Sequence, residues 1–326
     1  MSRRRSIAAL VSAMSAALLG LCALAAQAQT DKPIRFIVGF PAGAASDALT
    51  RQLADELRKA MNQPVIVENR VGASGRLSAE ALKAAAPDGQ TLLLAPVALV
   101  GIFPHTYKSL RYDPFADFAP VSHIGSFEIG FAVANNVPAR TVAEYVALVK
   151  RDQKFGSYGS ASAGSIPHFV GVLFGRAAGI DVTHVPYKGT APVLNDLAGG
   201  QVAAGSLGIA DLSQLHRAGK LRVLATAGVN RSAALPDVPT FKEAGYDIQG
   251  SGWFAVYTRA GSPKPLVDRY SKIFADAVKS PTLADWLRKI GLEGTGTTPE
   301  ALAQIHRADY DRWGPVIRAS GFTSED

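Results

Sequence analysis

Short apolar runs alternate with amphipathic stretches along most of this chain. Residues 34–40 are apolar and strand-like. Beyond a run of small residues, Leu49, Leu53, Leu57, Ala60 and Met61 recur at helical spacing, with Arg51, Asp55, Glu56 and Lys59 on the other face. The pattern predicts a strand at 34–40, a helix over 48–61, a strand at 65–68, a helix over 77–86 and a strand at 91–95. Pro87-Asp88-Gly89 supplies the turn that ends the second helix. Apolar strands that alternate with helices in this way form a parallel sheet covered on both faces.

The alternation resumes further on. Strands are expected at 155–158, 181–187, 201–207 and 221–226, with helices over 167–178, 192–198 and 212–218 between them. Two more strand-like segments, 128–134 and 252–257, are flanked by Gly, Pro or Asn and read as a pair of crossover strands. The remainder is helical, over 265–280, 282–290 and 299–320, and is expected to pack back on the first unit. The fold class is therefore α/β with two lobes. A discontinuous lobe, 29–126 plus 253–326, encloses a continuous one, 127–252, with a two-strand hinge and a cleft between them.

The first 28 residues stand outside this pattern. Arg3, Arg4 and Arg5 precede an uncharged apolar run over 7–25, and Ala26-Gln27-Ala28 is a small-residue cleavage signal. The segment reads as an export signal cut between Ala28 and Gln29; richness in Ala and Ser weighs against an uncleaved anchor helix. Cys22 is the single cysteine and lies in this segment, so the mature chain is expected to hold neither disulfide nor thiolate ligand. The formal charge of +7 falls to +4 with the three arginines gone, and the remaining basic residues are dispersed, which argues against a nucleic-acid partner.

Three loops open helices at strand ends: 41–47, 70–75 and 159–165. Unpaired N–H groups and the positive end of the helix dipole suit an anion there, and small side chains allow close approach. Asp47 reads as the N-cap of its helix, with ligand contact as the other reading. Lys188, beside Gly189 and Thr190 at another strand end, is either a charge for a carboxylate or a solvated lysine. His168 either packs in the core or touches a ligand or its loop, and Trp253, Phe254 and Tyr257 either line the cleft or pack the hinge. No catalytic set stands out. The six histidines lack metal-ligand spacing, no nucleophile elbow occurs, and the glycine loops match neither phosphate nor dinucleotide motifs, so no metal or cofactor is expected.

Taken in order, several segments resemble one family over nearly the whole mature chain. They include 33–47, 64–75, 87–91, His184-Val185-Pro186-Tyr187-Lys188-Gly189, Gly199-Gly200-Gln201-Val202, 218–225, Leu235-Pro236-Asp237-Val238-Pro239-Thr240 and Trp253. The family is that of the Bug (TctC-type) extracytoplasmic solute receptors of tripartite tricarboxylate transport. The resemblance implies a type II periplasmic-binding-protein fold, a periplasmic location, no enzymatic activity, and a monomer that serves integral-membrane transporter subunits. It also implies that a small mono- or dicarboxylate is gripped by loop backbone. Carried onto this chain, the ligand positions are Phe40, Ala42, Gly43, Ala44, Ser46, Asp47, Ala73 and Ser74 in the first lobe. In the second they are Ser160, Ala161, Ser162, Ala163, Gly164, Ser165, His168, Lys188, Gly189 and Thr190. The chain departs from the family pattern at Ala44, expected to restrict positive φ, and at Ala203. Two rival readings are a ligand sensor that acts on a membrane kinase and, less favoured, an exported hydrolase.

Overall fold

The computed structural model describes residues 32–187 and 189–324, so the expected export signal and its cleavage site lie outside the described residues. The first lobe begins β1 (Ile34–Val38), α1 (Ala45–Met61), β2 (Val65–Asn69), α2 (Arg76–Lys83), β3 (Thr91–Pro96). A π-helical turn (Ala98–Ile102) then runs into the short helix α3 (Phe103–Thr106). The chain leaves this lobe along β4 (Phe118–Ala134). The second lobe follows as α4 (Val142–Arg151), β5 (Ser157–Ser160), α5 (Ile166–Ala178), β6 (Thr183–Pro186), α6 (Thr190–Ala198), β7 (Ala204–Gly208), α7 (Ile209–Arg217) and β8 (Leu221–Thr226). Return is along β9 (Ser251–Arg259), followed by α8 (Lys264–Lys279), α9 (Pro281–Lys289), the two-residue β10 (Glu293–Gly294) and α10 (Pro299–Ser320).

β1 lies between β2 and β3, parallel to both. Its alternate residues enter different cores, as burial on two faces requires. Phe36 joins a cluster with Leu53 of α1 and Phe274 of α8, whereas Ile37 joins a second cluster. That second cluster runs without a break through Leu93, Trp253, Trp313 and Phe169 to Phe131 and Tyr158 of the other lobe.

The hinge differs from the expected pair of crossover strands. β4 starts ten residues earlier than the alternation indicated, and β9 pairs antiparallel with its first part, from Phe118↔Arg259 to Glu128↔Ser251. Residues from Ile129 onward pair instead with β7 and β8 in the second lobe. One strand, about 56 Å long at the usual rise, therefore belongs to both sheets. Register shifts near Ser122, between His123 and Gly125, and near Phe131 mark irregularities that bend and twist such a strand.

Strand direction places the two sets of loops. β3 is antiparallel to β9, which is antiparallel to β4, so β1, β2 and β3 run the same way as β4, toward the second lobe. β7 is antiparallel to β4, and β5 and β6 are parallel to β7, so these three run toward the first lobe. The carboxyl ends of both sets point at one waist. Pro96 is level, through Phe254, with Gly125, and Gly208 is level with Ile129. Those levels lie four residues apart on β4, about 13 Å along the strand.

The last helices do more than cover the first lobe. α10 also reaches the second: the Trp313 and Phe169 rings lie 6.2 Å apart, and Arg176 donates to the Ala319 carbonyl.

Candidate functional site

The first jaw is a set of loops beyond Val38, Asn69 and Pro96. Gly39 lets the first two touch: a Cβ there would lie 2.9 Å from Gly75 Cα and 2.8 Å from Ser78 Oγ. Asp47 is not the N-cap. The helix begins at Ala45, Ala44 occupies the cap position, and Asp47 stands in the first turn, 3% exposed. Its carboxylate accepts from Gly43 N at 3.0 Å, from Arg51 Nε and Nη2 at 3.0 Å each, and from Asn69 Nδ2 at 2.9 Å. Asn69 also donates to Phe40 O at 2.9 Å. Burial alone would raise the Asp47 carboxyl. The hydrogen bonds from Arg51, Gly43 and Asn69, with the Arg51 charge, outweigh it and hold the group at about 2. Asp47 thus fixes the shape of 40–44, while the first-turn N–H groups of Ala45, Ser46 and Asp47 have no acceptor within the helix. Ser46 is buried; Ala42 and Gly43 are exposed.

Ala44 does not carry the strain expected of it. Its φ is −68°, and the left-handed residue is Gly43 at +85°. The strain lies in the second loop, where Gly72, Ala73, Ser74 and Gly75 have φ of +138°, +47°, +56° and +92°. Left-handed backbone at a residue with a Cβ costs on the order of 1–3 kcal/mol. Ala73 and Ser74 are both exposed at the strand ends, and the turn they build is closed by Gly75 N on Gly72 O at 2.9 Å. No residue-type signal marks those two positions as left-handed. The π-helical turn beyond β3 is likewise silent in sequence, since 97–102 reads only as apolar. Its carbonyls at Leu99 and Val100 accept from Tyr112 Oη at 2.7 Å and His306 Nε2 at 3.1 Å.

The second jaw lies beyond Ser160, Pro186 and Gly208. Ser160 is fully buried; its hydroxyl donates to Ser162 O at 3.0 Å and lies 2.7 Å from His184 Nε2. The direction of the Ser160–His184 contact follows the His184 tautomer. His168 Nδ1 accepts from Gly164 N at 3.1 Å, which puts its proton on Nε2, and its ring stacks on His184 at 4.0 Å. Burial holds His168 at about 4. Burial, and then the neighbouring His168, hold His184 at about 3, so both are neutral near pH 7.

Ser165 caps α5 by accepting from His168 N and donates to Ser162 O at 2.8 Å. Gly189 N reaches Ala161 O and Tyr187 N reaches Ser160 O, both at 2.9 Å, which joins the two loops. Ser162 and Ala163 are exposed, and Gly189 at φ +110° leads into α6 at Thr190. Lys188 lies outside the described residues.

Of the aromatic residues left open, Trp253 and Tyr257 pack the hinge: both are buried, and Trp253 Nε1 donates to Asp309 Oδ2 at 2.5 Å. Phe254 lies 5.7 Å from Phe127, its neighbour on the hinge. Among the described residues no cluster of His, Cys, Asp or Glu could hold a metal ion, and no helix is long and apolar enough to cross a membrane.

Residues 49–322 match the TctC family, the tripartite tricarboxylate transporter family receptor. The protein of the gbd 5'region of Cupriavidus necator is 36% identical over 329 residues, covering 98% of each chain. A Rhodopseudomonas palustris structure with adipate shares 29% identity and a TM-score of 0.80 over 89% of this chain and 98% of its own. MatC from Rhodopseudomonas palustris with bound malate shares 28% identity and a TM-score of 0.76 over 87% and 98%. The two-lobed fold is that of periplasmic binding proteins. With a family match over most of its length and a relative at this identity end to end, the chain belongs to the tripartite tricarboxylate transporter receptors of the TctC type.

Proposed function

We propose that this protein captures a small dicarboxylate in the periplasm and presents it to integral-membrane transporter subunits. The observation that carries the reading is the convergence of two sets of helix-opening loops, from strands of opposite direction, on one waist of β4. The first-lobe grip is backbone: the first turn of α1 and the strained turn at Ala73 and Ser74. The second-lobe grip is the loop 160–165 with Gly189 and Thr190. The lobes, 29–126 plus 253–326 and 127–252, close by bending of the hinge as rigid bodies. The protein acts as a monomer, and no covalent bond is made or broken. Adipate and malate, seen in relatives, set the ligand class to be tried first. Ser160 is fully buried, out of reach of a substrate, which disfavours the hydrolase reading.

The test is a thermal-shift and calorimetric screen of linear dicarboxylates from four to eight carbons, with monocarboxylates, amino acids and aromatic acids alongside. A cognate acid at 100 times its dissociation constant stabilises the protein by about 2.7 kcal/mol. Failure of every organic acid to bind would remove the proposal. A sensor role predicts the same binding but a neighbouring sensor-kinase gene instead of permease genes.

A further inference from the structure

The segment after α10 joins the two jaws. Gly321, at φ +70°, ends the helix, and the chain turns back with Phe322 N on Ser320 Oγ at 3.1 Å. Ser324 N then donates to Thr106 O at 2.9 Å. Thr106 ends α3, the helix that continues the π-helical turn beyond β3 in the first lobe. Between these two fastenings the Phe322 ring reaches the second lobe. It stands edge-on to His168, with ring centres 5.0 Å apart, and 5.8 Å from Phe169. It also lies against Gly164: a Cβ at that glycine would meet the ring at 3.0 Å. Gly164 is the residue whose N–H bonds to His168 Nδ1, so the ring presses on both ends of the bond that shapes the loop.

We infer that Phe322 is a positioning residue for the second-lobe ligand loop, held in place by a tail fastened to the first lobe at Thr106. The inference rests on the reading of 160–165 as a ligand loop. The tail spans only four residues from the end of α10 to Ser324, so the ring cannot follow the second lobe far without strain or release of the Thr106 bond. The ring also limits how far Gly164 and His168 can relax when a ligand of a different length is offered. The loop's fit to its ligand is set in part by a residue more than 150 positions away in sequence.

The experiment compares the wild-type chain with Phe322→Ala, Phe322→Leu and a chain ending at Ser320. Hydrogen exchange is followed in peptides over 159–169 and, as a control, over 221–226. Phe322→Ala and the truncation are expected to speed exchange at 159–169 at least severalfold and leave 221–226 unchanged, with Phe322→Leu close to wild type. Binding of adipate and malate is measured in parallel. Whichever acid binds the wild type is expected to bind Phe322→Ala about 2- to 10-fold more weakly, the range of one aromatic contact. Unchanged exchange at 159–169 would overturn the inference, as would an equal rise in both peptides, which marks a general loss of stability. Exchange needs no ligand, so a failure of the ligand class leaves the tail still judged on its own readout.

Discussion

At the scale of single residues, Asp47 and the pair Ala73 and Ser74 act in opposite senses on stability. The Asp47 carboxyl is held at about 2, below its unfolded value, so its contribution is present above the unfolded pKa and fades as pH falls through the folded one. Arg51 is half exposed, which screens the pair. Asp47→Asn is expected to cost about 1–2 kcal/mol at pH 7 in urea unfolding, with the difference shrinking below about pH 4. Ala73→Gly should do the reverse. It relieves left-handed strain and is expected to raise stability by up to about 1 kcal/mol in the same assay, while the loosened turn weakens ligand binding. A substitution that stabilised the protein and left its affinity intact would mean that the turn's strain serves no binding purpose. Neither residue's role could be read from type alone. Asp near a helix start signals a cap, and only the geometry shows its oxygens turned to Gly43, Arg51 and Asn69.

Elements were legible in proportion to how cleanly their period survived. α1, α5, α10 and the short parallel strands follow the alternation closely, with ends shifted by a few residues. The first part of β4 is hidden in the sequence because Pro120, Gly125 and two register shifts break the period of two that marks a half-buried strand. α4 falls outside the predicted elements although its start is marked. Thr141 Oγ1 accepts from Glu144 N at 3.1 Å and Glu144 bonds back to Arg140 N at 2.6 Å, so Thr141 and Glu144 carry a near relative of the capping box. The π-helical turn left no trace, since its residues are uniformly apolar. α10 packs on both lobes, and Trp313 tests its weight there. The ring is fully buried against Phe169 and the Gly250 backbone, yet its Nε1 has no partner. Trp313→Ala is expected to cost about 3–5 kcal/mol by thermal or urea unfolding. Trp313→Phe should cost under about 1.5 kcal/mol, because it also removes an unsatisfied donor.

For the whole molecule, burial depresses all six histidines, four of them strongly. His123, His168 and His306 are held at about 4 and His184 at about 3, so the folded chain keeps them neutral where the unfolded chain protonates them. The unfolded state binds more protons below its own pKa near 6.5, and stability therefore falls as pH drops from about 6.5 toward 4. Urea midpoints taken between pH 7 and 5 should show that slope. His306→Gln should flatten it by up to about 1.4 kcal/mol per pH unit. The shared strand has a consequence of another kind. Because β4 is woven into both sheets and one core cluster passes through the waist, neither lobe has a boundary at which it can melt alone. A scanning calorimeter should record one heat-absorption peak, and a protease should find no half-sized fragment to spare. The two lobes are expected to live and die as one body.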